Sequence, residues 1–275
     1  MTVLCPVCQA PVTLTEDGGN CQKGHRFDRS RSGYMHLLPA NRKHAKNPGD
    51  DKVMVNARRQ FLDKGYYRPL ADTVSRLAGD WLSARREETP SILDAGCGEG
   101  YYTTILYEAL CRRGMEPDIL GVDISKLALD KAAKRQKAIL YIVASVFHLP
   151  VPDACCDLLC SLFSPYCSKE YQRVVRPGGA MLLVIPGENH LWELKQAIYE
   201  RPYKNQVKTF ELEGFTLLNH EQVRGVIHLP EPEDIENLFK MTPYYYKTGA
   251  QDQARLLERR ELTTQIEFEV LLYRK

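Results

Sequence analysis

The 275-residue chain has no apolar run approaching the ~18 residues that a membrane-spanning helix needs. It also lacks an N-terminal segment that is charged and then apolar, as exported chains carry. These two absences predict a soluble, cytoplasmic protein with no membrane partner. There is no internal repeat and no low-complexity tract. Net charge is nearly absent as well, only +2 over the whole chain, but that figure hides an asymmetry. Residues 1–60 hold ten Lys or Arg against five acids, a net of +5, which leaves the remaining 215 residues at −3. A positive arm on a slightly acidic body predicts a polyanionic partner met by the N-terminal part. The length allows one large domain with a small appendage.

Nine cysteines without an export signal argue for thiols or metal ligands and against a disulfide framework. Four donors stand out: Cys5, Cys8, Cys21 and His25, separated by two, twelve and three residues. Each close pair suits a tight knuckle, and four such donors close a tetrahedron around zinc with no position left for water. The expected metal is therefore one structural Zn2+ per chain. A module this short buries too little apolar surface to fold without it. Next comes a polar, basic stretch over 39–51, with Arg42, Lys43 and Lys46, read as a linker or mobile loop. A helical stripe over 52–64 follows, carrying Arg58 and Arg59. Such basic runs are most often solvated surface, and contact with a nucleic-acid backbone is the other reading for these five residues. The expected domains are a zinc module at 1–38, a basic linker and helix at 39–70, and the main domain at 71–275.

The main domain opens on Ile92-Leu93-Asp94-Ala95-Gly96-Cys97-Gly98-Glu99-Gly100, an apolar strand ending in an acid and three alternating glycines. Glycines at this turn reach backbone conformations closed to other residues and let a ligand rest on N–H groups at the positive end of the next helix. A dinucleotide loop would place its third glycine where Tyr101 stands. The observed spacing suits S-adenosylmethionine better, with Asp94 placed to accept its ammonium. Asp123 lies twenty-three positions beyond Gly100 at the tip of a second apolar strand, placed to grip two ribose hydroxyls. The plainer reading makes the glycines ordinary turns and Asp123 a cap for the helix starting near Ser125.

Strands are expected at 91–94, 119–122, 140–144, 158–162 and 181–185, with helices between most of them. That alternation implies a parallel sheet with helices on both faces, a Rossmann-like α/β domain of the class I S-adenosylmethionine methyltransferase kind carrying an N-terminal zinc-binding module. The tail is read as a helix at 191–199, a hairpin or insert around 203–230, a helix at 233–240 and a last strand at 263–273.

Taken together, several motifs resemble the bacterial 23S ribosomal RNA guanine-N1 methyltransferase family over essentially the full length. They are the quartet Cys5, Cys8, Cys21 and His25; Phe27-Asp28; Gly33-Tyr34; Leu37-Leu38-Pro39; Pro48-Gly49-Asp50; Ala57-Arg58-Arg59 with Phe61-Leu62; and Gly65, Tyr67, Pro69 and Leu70. The loop Gly96 to Tyr102 and the later Pro186-Gly187, His190-Leu191 and Glu193-Leu194-Lys195 complete the set. The resemblance implies methyl transfer to a ring nitrogen of a guanine in a 23S hairpin. Of two neighbouring guanines, the form Glu99-Gly100-Tyr101-Tyr102 resembles the Gram-negative group and points to guanine 745.

The resemblance also places Tyr67 and His190 in the cofactor pocket, with Asp94, Gly96, Cys97, Gly98, Glu99, Gly100 and Asp123. Two departures stand beside it. Ser145 occupies the position where many methyltransferases put an acid for the adenine amine. The segment Leu162-Phe163-Ser164-Pro165-Tyr166 lacks the acid that grips amino nitrogens in adenine methyltransferases. Phe163 or Tyr166 is expected to stack on the target base. Guanine N1 carries a proton, and Asp157 and His190 are the candidates to remove it. Rival readings are a small-molecule methyltransferase, suggested by Leu149-Pro150-Val151-Pro152-Asp153, a non-catalytic zinc-dependent RNA-binding factor, and a DNA-binding regulator. A homodimer is the default assembly.

Overall fold

The computed structural model describes residues 1–39, 49–86, 88–207 and 209–275, and all but the side chain of Leu257 within them. Arg42, Lys43 and Lys46 of the basic stretch lie outside the described residues. Three short strands, β1 (Val12–Thr15), β2 (Gly18–Cys21) and β3 (Arg26–Asp28), form an antiparallel meander. A fourth, β4 (Met35–His36), leaves it to pair parallel with β7 (Leu140–Val143) at the edge of an eight-stranded sheet. The other strands of that sheet are β5 (Ser91–Ala95), β6 (Asp118–Asp123), β8 (Cys156–Leu162), β9 (Val175–Pro186), β10 (Thr216–Leu229) and β11 (Leu262–Arg274), in the order β10-β11-β9-β8-β5-β6-β7-β4. All pairs are parallel except those made by β11, which runs antiparallel to both neighbours. The order turns back between β5 and β8, so a crevice opens there at the carboxyl ends of the strands, where α/β sheets bind ligands.

Helices α1 (Lys52–Asp63), α2 (Arg68–Ala84), α3 (Tyr101–Arg112), α4 (Lys126–Arg135), α5 (Ser168–Val174), α6 (Trp192–Ile198), α7 (Pro232–Lys240) and α8 (Ala250–Leu257) complete the chain. Successive strand residues point to opposite faces, and the two cores divide accordingly. Ile92 and Leu158 join the core that holds Leu62 of α1, Val74 of α2, Leu106 of α3, Leu129 of α4 and Leu238 of α7. Their neighbours Leu93 and Leu159 join a second core that holds Val3, Cys5, Val12, Cys21, Met35 and Leu37 with Tyr171 and Val174 of α5.

Helices were expected on both faces, and here the second face is covered largely by the zinc module. The expected boundaries at 38 and 70 also shift in meaning. The Leu4 amide bonds to the Pro150 carbonyl at 2.7 Å, and Phe61 and Leu62 sit 0% and 3% exposed in the main core. The stretch from α1 to α2 is core structure, because its apolar stripe has the sheet to bury against. The insert near 203–230 resolves into β10, and α8 was missed because its pattern is short and mostly polar.

Arg135 at the end of α4 ties the glycine loop to α1. It donates to Glu99 at 2.6 and 3.1 Å and pairs with Asp63 at 2.8 Å, while Glu99 is only 2% exposed. Removing one partner strands the other's charge in a low-dielectric place. Arg135→Ala should therefore destabilise the protein by about 3 kcal/mol in urea denaturation, and adding Glu99→Gln should recover part of that loss.

Candidate functional site

The four donors of the quartet come together, all within 4.8 Å of one another. Cys8 Sγ lies 3.6 Å from Cys21 Sγ, and His25 Nδ1 lies 3.6 Å from Cys5 Sγ and 3.3 Å from Cys21 Sγ. Ligand bonds of about 2.0–2.3 Å in a tetrahedron require edges of this length, so the set fits zinc. The knuckles form as their sequences dictate. Gln9, at φ 61°, returns its amide to the Cys5 carbonyl, and Gly24, at φ 81°, returns its amide to Cys21. With four protein donors, the metal has a structural role.

A cavity of about 1000 Å3 opens at the carboxyl ends of β5, β6 and β8. Its floor is the glycine loop. Gly96 and Cys97 donate their amides to the Val122 carbonyl at 2.7 and 3.0 Å, which folds the loop onto the end of β6. A Cβ on Gly96, at φ 89°, would stand 2.3 Å from Ser164 Cβ, so no side chain fits there. Gly98, at φ 56°, faces open space. Asp123 accepts the Gly98 amide at 2.9 Å and the Ser125 amide at 2.8 Å. Burial lifts its pKa above the usual carboxylate value, with the Ser125 and Gly98 amides pulling the other way. The helix α4 is capped instead by Ser125, whose hydroxyl accepts the Ala128 amide at 3.3 Å, so capping is not the job of Asp123. A glycine cradle beside an acid on a cavity of this size fits the nucleoside and amino-acid parts of S-adenosylmethionine. Gly98, Glu99, Cys97, Asp123, Ser145, Tyr67 and His190 all line it, whereas Gly100 ends the loop and starts α3 in the left-handed conformation.

Three assignments need correction. Asp94 lies beneath the loop rather than on the cavity wall; it is 3% exposed and accepts the Thr103 hydroxyl at 2.6 Å, and burial raises its pKa to about 7. Asp157 is the second residue of β8, at the far end of the sheet from the cavity, where it accepts the Ser91 amide at 2.8 Å and pairs with Arg176. Five residues of strand, roughly 16 Å at 3.3 Å each, separate it from Leu162 at the cavity, too far for proton transfer. Tyr166 is absent from the cavity wall: half-buried, it packs against the second core, edge-on to Tyr171 at 5.4 Å. Phe163 is the aromatic that lines the cavity, 44% exposed and held at φ 57°, an unusual conformation for a bulky residue.

His190 is at the cavity but is built as a neutral group. Its Nδ1 accepts the Glu267 amide at 3.3 Å, which places the ring proton on Nε2, donated to the Tyr67 hydroxyl at 3.4 Å. Burial, with the nearby Lys195 adding to it, drops its pKa to about 3. Its one basic nitrogen is thus occupied and reluctant, which removes it as the proton acceptor. Of the two arginines of α1, Arg58 turns to the cavity, pairing with Asp50 and donating to the Met241 carbonyl at 3.3 Å. Arg59 lies 3.5 Å from Asp63 on the helix exterior. The sequence reading missed the segments around Asp50 and Met241 to Lys247, which wall the cavity opposite the glycine loop.

Two family models match the chain: one described as "RlmA, N-terminal" over residues 3–46, and one described as "Methyltransferase domain" over residues 93–183. Among curated relatives, a Streptomyces fradiae protein named 23S rRNA (guanine(748)-N(1))-methyltransferase is 35% identical over 196 residues, 70% of this chain and 66% of that one. The chain thus spans just under two thirds of that relative's length. A Bacillus subtilis (strain 168) protein named putative 23S rRNA (guanine-N(1)-)-methyltransferase YxjB is 28% identical over 98% of this chain and 95% of its own. A Micromonospora griseorubida protein with the name putative 23S rRNA (guanine-N(1)-)-methyltransferase is 32% identical over 69% of this chain and 67% of its own.

Two measurements test this geometry. Asp123→Ala should weaken S-adenosylmethionine binding at least tenfold by calorimetry, since a hydrogen bond to a charged group is worth about 1.5–3 kcal/mol. His190, neutral when folded down to about pH 3 but basic at 6.5 when unfolded, contributes stability that is intact above pH 6.5 and lost as pH falls toward 3. Replacing it with Gln should flatten the fall of unfolding free energy across that window, relative to the unmodified protein, by up to about 1.4 kcal/mol per pH unit.

Proposed function

Because the chain belongs to the 23S ribosomal RNA guanine-N1 methyltransferase family, we propose that it methylates N1 of a guanine in a 23S rRNA hairpin, and that the guanine is 745. The observation that carries this reading is the union of a zinc ribbon with a methyltransferase cavity in one packed body. Support for 745 is the loop form Glu99-Gly100-Tyr101-Tyr102. S-adenosylmethionine, when bound, supplies an electrophilic methyl group on a sulfonium. Gly98, Asp123 and Ser145 hold its nucleoside side, and Tyr67 and His190 its amino-acid side.

An uncharged His190 suits a site that must take a cation. The main task of these residues is alignment, since an in-line displacement gains most from orientation. Guanine N1 lies on the pairing edge, so the base must be unpaired and turned into the cavity. Phe163, exposed there, offers a face for stacking. Lys23, Arg26, Arg29 and Arg31 of the ribbon, with Arg42, Lys43, Lys46 and Arg59, would meet phosphates, which position without specifying sequence.

No helix among the described residues is long and apolar enough to cross a membrane, and we place the reaction in the cytoplasm with the ribosomal RNA. A homodimer is the expected assembly, and β10, an edge strand of 14 residues with no second strand partner among the described residues, offers its outer edge to another copy. Incubation with labelled S-adenosylmethionine and in vitro transcribed 23S rRNA should place label in N1-methylguanine, and primer-extension mapping should stop beside guanine 745. Label at 748 would correct the position alone; label in no RNA would overturn the reading.

A further inference from the structure

With Asp157 and His190 removed, the proton of guanine N1 has no acceptor, and the carboxylates on the cavity wall are Asp50, Asp51, Glu99 and Asp123. Glu99 is spent on Arg135 and sealed at 2% exposure. Asp123 accepts two backbone amides where the ribose is expected. Asp51 caps α1, taking the Met54 amide at 2.9 Å on one oxygen and the Tyr246 hydroxyl at 2.6 Å on the other; the Tyr246 bond, with the Met54 amide, holds its pKa below the usual value. Asp50 differs from all three. One oxygen pairs with Arg58, the other has no hydrogen bond among the described residues, and the side chain is 33% exposed on the cavity.

The chain is built to put it there. Gly49, at φ 84°, passes so close to the end of β6 that a Cβ would stand 2.8 Å from Ile124, and the Asp50 carbonyl accepts the Ser125 hydroxyl at 3.0 Å. These contacts account for Gly49 and Asp50 of the motif, for which the cofactor reading has no use.

We propose that Asp50 and Arg58 read the guanine edge and that Asp50 accepts the N1 proton, an assignment that rests on the functional reading above. Guanine offers donors at N1 and N2 and an acceptor at O6, complementary to a carboxylate beside a guanidinium. The N1–H bond breaks and its proton goes to the free Asp50 oxygen. The electron pair left on nitrogen forms the bond to the methyl carbon, and the carbon–sulfur pair stays on sulfur. The guanine and the spent donor both finish neutral, and Asp50 returns its proton to water. Arg58 is placed to donate to O6, where negative charge gathers as N1 loses its proton. Adenine, whose N1 has no proton to give, would set a lone pair against the carboxylate.

Asp50→Asn keeps the shape and an oxygen for Arg58 but cannot take the proton. With in vitro transcribed 23S rRNA, its single-turnover methylation rate should fall on the order of 100- to 10,000-fold. Calorimetric affinity for S-adenosylmethionine should stay unchanged. The residual rate should climb in proportion to hydroxide, whereas the unmodified enzyme should level off. Asp50→Glu should recover part of the rate. An Asp50→Asn enzyme as fast as the unmodified one, or one whose affinity for S-adenosylmethionine falls as far as its rate, would overturn the assignment while leaving the functional reading intact. Silence of the unmodified enzyme on RNA would instead remove that reading, and this one with it.

Discussion

The hydrogen bond from the Gly98 amide to the Asp123 carboxylate, 2.9 Å long, joins the two places on which the cavity depends. One is the loop leaving β5 and the other is the tip of β6, and both are bent toward the same point. The Gly96 and Cys97 amides reinforce the junction by bonding to the Val122 carbonyl. Because every partner but the Asp123 carboxylate is a backbone group, the geometry depends on that one side chain and on the absence of a Cβ at Gly96, which would drive into Ser164. An acid held by two amides is oriented before any ligand arrives, and a fixed acceptor costs less to use than one that must be ordered on binding.

Electrostatics divides the cavity into working and quiet groups. Glu99 is neutralised by Arg135, Asp51 has its oxygens occupied by the Met54 amide and the Tyr246 hydroxyl, and His190 is kept uncharged by burial and a pinned tautomer. Such pairing keeps a site that admits a sulfonium free of competing positive charge on the imidazole. The Asp50–Arg58 pair is the exception, partly exposed and incompletely saturated. Its acid stands at the end of the 39–51 stretch that the sequence pattern assigns to a linker or mobile loop, and its base on the helix that follows.

The zinc ribbon contributes to the fold as well as to the expected RNA contact. Its Val3, Cys5, Val12 and Cys21 pack with Leu93, Leu120 and Ile142 of the sheet, so two metal ligands are themselves core residues. Loss of the metal would therefore uncover one face of the sheet, coupling metal binding to the stability of the catalytic body. The same packing fixes the ribbon as a rigid extension of the site, through the β4–β7 pairing.

The sequence by itself determined the features written in short spacings: the knuckles around Cys5, Cys8, Cys21 and His25, the strand-loop-helix of 91–112, the acid at Asp123 and the alternating strands. These depend on turns, glycine conformations and periodicities that neighbouring residues decide among themselves, so a few positions of chain suffice to specify them. Only the tertiary structure decided that Asp157 faces away from the cavity, that Tyr166 packs against the second core while Phe163 is wall, that the ribbon replaces helices on one face, and that Arg58 reaches both Asp50 and the Met241 carbonyl 183 positions away. Those outcomes turn on which end of a strand faces the crevice and which surface covers which, and these are settled by burial of apolar faces across long stretches of chain, a quantity that no local pattern carries.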